Sequence, residues 1–533
     1  MHPCFQVPEI VRLIVHGVWD GNEPSVDVSR ESSLRPIYTA LARLAQTCRS
    51  FHPHALDALW SCQSGIENLL HCMPTSLVAE RRQSRGPQFQ GKKNMLCFIR
   101  PLEPTDWNNF DSYARRIKIL KLTSEVDPIG LYHRPAAAPT VYRDLAMCSH
   151  HSRPYFPNLS HLTCEMPELS SDILSFCATL LGPSLRVLSV HGNHEDMISV
   201  PFLLSYSLRL SPSLQQLQLT VGPSPDCLPL LDALGSFDQL HTLSLAFHEA
   251  PPIELWEALS AAPSLATLTL KVAPSWTGLS EPLTFSLRPD NPLNLNQITR
   301  LTLHDVDVAD CLRVLACCSL ASLVGVHFTV GFVNTTSDGP ALIEAIVAVC
   351  PVSLRGLSLM SDPGIPANQL SSLRTFRGLI DLELTLSSGI NDSMIEVVAR
   401  TWPNLRKLAL MYPRAKRPRP NDGITPDSLT HLIRRCPQLR QLSLHVDLRL
   451  VVITTQRSWS DVTNTYIKTL DVGSSLVGKT PTPSAAFLTD LFPNLATIHE
   501  HGSPPSGRWA EVAQLVSDLG IIRAQERQKQ RCM

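Results

Sequence analysis

The stretch Pro403-Asn404-Leu405-Arg406-Lys407-Leu408-Ala409-Leu410 carries a pattern that recurs along the chain. Its leucines fill the first, fourth and sixth places of L-x-x-L-x-L. The same spacing stands at Leu214, Leu217, Leu219, at Leu265, Leu268, Leu270, at Leu354, Leu357, Leu359, at Leu379, Leu382, Leu384 and at Leu439, Leu442, Leu444. With Ile, Val or Phe admitted, copies start at 117, 159, 185, 214, 240, 265, 298, 323, 354, 379, 405, 439, 467 and 495. The last two apolar places are two residues apart and therefore share one face of a short strand.

Between copies the spacing turns helical, as at Asp392 to Thr401 (Met394, Ile395, Val397, Val398) and Asp427 to Cys436 (Leu429, Leu432, Ile433). Seven copies place a proline two residues before the first leucine: Pro157, Pro183, Pro212, Pro263, Pro403, Pro437 and Pro493. Proline cannot continue a helix, so it ends one and hands the chain to the next strand. This accounts for much of the high count of 43 prolines in 533 residues. The intervals from 159 to 495 average 28 residues, inside the roughly 20–29 residue range of leucine-rich repeats. One strand and one helix cannot bury their apolar faces alone, so the units must stack. The expected fold is α/β, an irregular leucine-rich-repeat solenoid over 117–505. The Asn or Cys that usually follows the last leucine is nearly absent, Asn193 being an exception, hence the expected irregularity. Copies at 117, 323, 467 and 495 have the weakest register. Residues 506–533 read as a capping helix, Trp509 to Arg527, and a basic tail with Lys529 and Arg531.

Residues 1–61 lack the repeat. Ile10, Leu13 and Ile14 mark a first short helix entered at Pro8. Asp20 to Arg35 reads as a polar loop. Ile37 to Phe51 reads as a second helix with Leu41, Leu44, Ala45 and Cys48 on one side, and Ala55, Leu56, Leu59 and Trp60 mark a third. Residues 62–116 read as a connecting region with a basic loop at 79–94. The words Pro8-Glu9-Ile10, Leu44-Ala45-Gln46-Thr47-Cys48-Arg49-Ser50-Phe51 and Ala55-Leu56-Asp57-Ala58-Leu59-Trp60 resemble an F-box, in the wording of the large basidiomycete fungal F-box-like family. Arg100-Pro101-Leu102 and Asp106-Trp107-Asn108-Asn109-Phe110 look like the same family. Val7 stands where that family usually has Leu, and the insertion between the first two helices is long.

That resemblance implies a substrate receptor. Its F-box would dock the adaptor subunit of an SCF-type cullin–RING ubiquitin ligase through Pro8, Ile10, Ile14, Leu44, Cys48 and Trp60, and its repeats would hold a protein target. The alternative is an interaction scaffold outside any ligase, with those residues serving only as the core of a helical cap. The target surface would be the concave strand face: Gln216, Gln218, Thr242, Thr269, Lys271, Arg300, His304, Glu383, Lys407, Met411, Gln441 and His445. Hydroxyls also simply suit exposed strand positions.

Other classes draw less support. Lys+Arg 46 balances Asp+Glu 47, which removes a global argument for nucleic acid or acidic membranes. No run is apolar enough to span a bilayer, Pro3, Pro8, Glu9 and Arg12 spoil a secretory signal, and the 15 cysteines form no CxxC pair. The expected compartment is cytosol or nucleus, with no cofactor, no metal and no enzymatic activity. Gly473-Ser474-Ser475-Leu476-Val477-Gly478-Lys479-Thr480 matches the P-loop spacing and leaves a nucleotide-binding enzyme as a remote alternative, although Pro481 and Pro483 follow at once. Lys416-Arg417-Pro418-Arg419 is either a nuclear localisation signal or a solvated loop. The histidines at 150–151, 191/194 and 499/501 lack metal-ligand spacing.

Overall fold

Every copy of the repeat becomes a strand that starts two residues after its first apolar place. The structure, a computed structural model, describes residues 7–19, 31–84, 92–123, 135–148, 154–165, 171–192, 210–221, 234–247, 251, 253–272, 293–330, 339–361, 364–387, 389–412, 423–449, 451 and 462–532. The chain divides into two units, 1–248 with 261–265, and 249–260 with 266–533. Among the described residues the first holds six strands of a parallel ladder: β1 (Cys62–Ser64), β2 (Ile119–Thr123), β3 (His161–Glu165), β4 (Val187–His191), β5 (Gln216–Val221) and β6 (Thr242–Phe247). The second holds nine: β7 (Thr267–Val272), β8 (Arg300–Val306), β9 (Gly325–Val330), β10 (Gly356–Met360), β11 (Asp381–Thr385), β12 (Lys407–Met411), β13 (Gln441–Leu444), β14 (Thr469–Asp471) and β15 (Thr497–His499).

Equivalent leucines stand opposite one another from rung to rung. In the first unit Leu120, Leu162, Leu188, Leu217 and Leu243 form one file. In the second, Leu268, Leu301, Val326, Leu357, Leu382, Leu408, Leu442, Leu470 and Ile498 form another. All of them are buried. Helices return the chain between strands, for example Asp392–Thr401 and Pro426–Arg435. Asn391 and Thr425 cap these two, accepting from the amides of Met394 and Ser428. This is a leucine-rich-repeat fold.

The turns between helix and strand show what the prolines do. The amides of Leu214, Leu405 and Leu439 donate to the carbonyls of Ser211, Trp402 and Cys436, three residues back. Pro212, Pro403 and Pro437 therefore occupy the second place of a tight turn, where their fixed φ suits them. The absent Asn is replaced by side chains that tie one turn to the turn before. Asn158 donates to Arg115 O at 2.7 Å, Ser184 to Pro157 O at 3.1 Å, Ser264 to Asp238 O at 2.6 Å and Asn494 to Thr465 O at 2.9 Å. Trp402 adds an indole bond to Phe376 O at 2.8 Å, and Cys436 a thiol bond to Trp402 O.

The structure corrects four readings. The ladder begins one rung early: 62–116 is no linker but carries β1, paired with β2. Trp60, Gln63 and Gly65 stand at the leucine places there, so the apolar pattern was hidden. The basic stretch 79–94 is largely a hairpin, Val78–Ser84 antiparallel to Lys92–Phe98, with 85–91 outside the described residues. Between β10 and β11 the return is a 3-10 helix, Ala367–Thr375, because Ala367, Leu370, Leu373 and Phe376 are buried at intervals of three, the 3-10 period. In the head, α1 (Pro8–Trp19) is followed by α2 (Glu31–Ala45), longer at its start and shorter at its end than expected, and α3 (Phe51–Trp60).

The closing helix, Gly507–Cys532, buries Trp509, Val512 and Val516. Among the described residues no helix is long and apolar enough to cross a membrane. Trp402 is fully buried and tied to the neighbouring rung. Trp402→Ala is therefore expected to cost about 3–5 kcal/mol, read as a lower urea midpoint. A loss below 1 kcal/mol would show that the turn does not couple rungs.

Candidate interaction surfaces

In the head, Val11 and Val15 of α1, Leu41 of α2 and Phe51 of α3 form the core, with Val18, Ile37, Leu44, Cys48 and Leu59 packed around it. The inward stripe of α1 is thus Val11, Val15 and Val18, and not the Ile10, Leu13 and Ile14 stripe. Val7, Ile10, Leu13 and Ile14 lie beside it on the outside, with Leu13 70% exposed. Among the described residues nothing covers this apolar face of α1.

The six residues taken from the F-box resemblance divide. Pro8, Ile10 and Ile14 are exposed on α1. Leu44 and Cys48 are half-buried at the rim of the head's core. Trp60 stacks on Tyr113, ring centroids 4.4 Å apart, and so faces the helix Trp107–Ala114. Arg116 reinforces this seam, pairing with Asp57 and donating to Pro53 O. The head is therefore fixed to the first rungs through α3, while α1 points its apolar residues elsewhere.

On the strand face of the first unit, Gln216 is exposed, Thr242 is half-buried, and Gln218 accepts from Ser189 Oγ at 3.2 Å. In the second unit Thr269 and Met411 are half-buried, and Lys271, Arg300 and Gln441 are exposed. Lys407 Nζ bonds Glu383 at 2.7 Å, and Ser358 Oγ donates to the same carboxylate. His304 and Thr329 are 3.2 Å apart, and His327 lies 3.3 Å from the same hydroxyl. Burial lowers the pKa of both imidazoles. They are neutral at pH 7.

His445 is a correction. It is only 1% exposed, walled by the Tyr412 ring at 4.4 Å and by His501, so it cannot meet a target. Neither ring nitrogen has a partner among the described residues. Gly473, at φ +51, leaves room for it; a Cβ there would sit 2.5 Å from His445 Nε2.

The P-loop-like segment starts at this glycine, and three amides of its first half are occupied. Gly473 N donates to Asp471, Ser475 N to Val472 O and Leu476 N to Val446 O. Leu476–Val477 pairs with Asp447–Leu448. In that half a phosphate would meet the Asp471 carboxylate and used amides in place of a cradle. Among the described residues no group of three His, Cys, Asp or Glu could hold a metal ion. His150, His151, His194 and 416–419 lie outside the described residues.

No family model matches the sequence, and no curated protein matches it. Solved structures with a similar backbone include a chain of the yeast Rad7 and Elc1 complex, at TM-score 0.37 and 14% identity over 89% of this chain and 90% of that one. A chain of a TLR13–ssRNA13 complex gives 0.35 and 14% over 75% and 54%. A Bacteroides fragilis protein gives 0.28 and 13% over 48% and 76%. The fold assignment rests on the rungs themselves.

Burial, with His501 adding repulsion, lowers the His445 pKa to about 3. The unfolded imidazole takes its proton near pH 6.5. Its contribution to stability is therefore whole above pH 6.5 and is lost as pH falls toward 3, by up to about 1.4 kcal/mol per pH unit. Urea melts at pH 7 and pH 5 are expected to separate less in His445→Phe than in the parent chain. An unchanged separation would mean that His445 is not the buried neutral group.

Proposed function

We propose that this chain is the substrate-recognition subunit of an SCF-type cullin–RING ubiquitin ligase. The observation that carries the reading is the exposed apolar stripe Val7, Ile10, Leu13 and Ile14 on α1. It lies within the words that resemble an F-box, on a head whose own core is built from other residues. Pro8, Ile10 and Ile14 then dock the adaptor, with Leu44 and Cys48 at the rim, and through the adaptor the chain reaches a cullin. The strand faces hold the target. No chemistry belongs to this chain: it raises the target's local concentration beside a ubiquitin-charged enzyme, which is where proximity accelerates transfer.

The test is capture of the SCF adaptor by full chain. Ile10→Asp/Ile14→Asp puts charge on exposed positions and leaves the core of the head intact. It is expected to lower adaptor recovery by about tenfold or more, a loss of ~1.4 kcal/mol, with an unchanged unfolding midpoint. Equal recovery, or no recovery by the parent chain, would leave an interaction scaffold with an F-box-like head.

A further inference from the structure

The residue directly after the first apolar place of each repeat opens the strand and sits at one edge of the sheet. From β10 to β14 these residues are Arg355, Ile380, Arg406, Arg440 and Lys468. They are neighbours in space. Ile380 N donates to Arg355 O at 2.7 Å, Arg406 N to Ile380 O at 2.7 Å and Arg440 N to Arg406 O at 2.8 Å. The pairing of Leu442 with Leu470 sets Lys468 beside Arg440. Adjacent strands run about 4.8 Å apart, so Arg406, Arg440 and Lys468 are three consecutive cations at the closest repeat a sheet allows.

All four cations are exposed, and among the described residues none pairs with a carboxylate. Lys407, next in line, already has Glu383. Like charges opposite one another on neighbouring strands destabilise a sheet, and among the described residues no acid is paired with this row to relieve that cost. Composition does not explain it, since the chain holds as many acids as bases. Nor does the helix dipole: the helices Asp392–Thr401 and Pro426–Arg435 have Arg400 and Arg435 in their last turns, while Arg406 and Arg440 lie beyond the following turn.

We propose that this row is the docking edge for an acidic, Asp/Glu-rich segment of a protein partner. This deepens the receptor reading by naming the chemistry of its target. A polypeptide fits better than a nucleic acid. A single-strand path needs a series of aromatic platforms among its cations, and among the described residues the row has Tyr466 alone beside it, with the Arg440 guanidinium already 5.7 Å from its ring centroid. The strand face just inside the row offers Gln441 and Ser443 to peptide amides. Its acids, Asp381 and Glu383, would repel a continuous phosphate backbone, whereas a polypeptide can set its carboxylates on the row and neutral residues opposite those acids.

The experiment is fluorescence anisotropy on the full chain with a labelled Glu-rich peptide. A labelled single-stranded oligonucleotide of equal charge is the second arm. Arg406→Gln/Arg440→Gln/Lys468→Gln is expected to weaken peptide binding by about tenfold, and Lys271→Gln/Arg300→Gln, on the strand face, by less than about twofold. Peptide binding by the parent chain is expected to fall as salt rises. The triple variant should melt no lower than the parent, since it removes repulsion; if it does not fold, Arg440→Gln and Lys468→Gln alone are each expected to give about a twofold loss. Equal peptide binding by row variants and parent overturns the proposal. So does an equal loss in the strand-face variant, or tighter binding of the oligonucleotide than of the peptide. Adaptor capture reads the receptor role separately: peptide binding without adaptor capture removes the ligase and leaves the docking edge.

Discussion

A single rung of this protein has nowhere to put its leucines. Leu408 and Leu410 are fully covered only because the β11 and β13 rungs lie at hydrogen-bonding distance on either side. The backbone bond that opens each strand, such as Arg440 N to Arg406 O, fixes that neighbour at one register. A slip of one residue would turn the leucine file to solvent and bring the polar file inward. Register and burial are thus one constraint, and it is met between rungs and never within one.

The turns carry a second, weaker set of ties. In many leucine-rich repeats an Asn after the last leucine bonds the turn backbone. Here Asn158, Ser184, Ser264 and Asn494 work on the other side of the strand, just before the first leucine, each bonding the carbonyl one turn back. Each bond contributes on the order of 1 kcal/mol, and each satisfies a carbonyl of the preceding turn. Asp392 does similar work between helices, accepting the amide and hydroxyl of Thr425. All four ties stand directly after a turn proline, Pro157, Pro183, Pro263 or Pro493, so they add to turns in which proline already brings no amide to satisfy and holds its own φ.

This division decides what could be read in the sequence. Leucine at places one, four and six is a direct consequence of burial, so all fourteen strand positions, including those at 117, 323, 467 and 495, were legible. β1 was not, because Gln63 replaces a leucine and satisfies its buried amide locally, donating to Leu59 O and accepting from Asn68. His445 follows the polar alternation of a strand face, yet the chain folds over it at Gly473 and His501, a long-range event that no local pattern records. In the head, Ile10 and Val11 are equally apolar, and only the packing of α2 and α3 decides which one is covered.

Because the ladder aligns equivalent places, any choice repeated at one place becomes a continuous row. At the fourth and sixth places the repeated choice is leucine and the row is the core. At the second place, from 355 to 468, it is arginine or lysine in every copy but Ile380, and from 406 to 468 the row is an unbroken line of charge on an otherwise balanced chain. A search for leucines passes over that place, since nothing about burial depends on it. The same freedom leaves it open to set what the edge attracts: the core is indifferent to Arg406, Arg440 and Lys468, whereas any chain that lies along this edge meets them first.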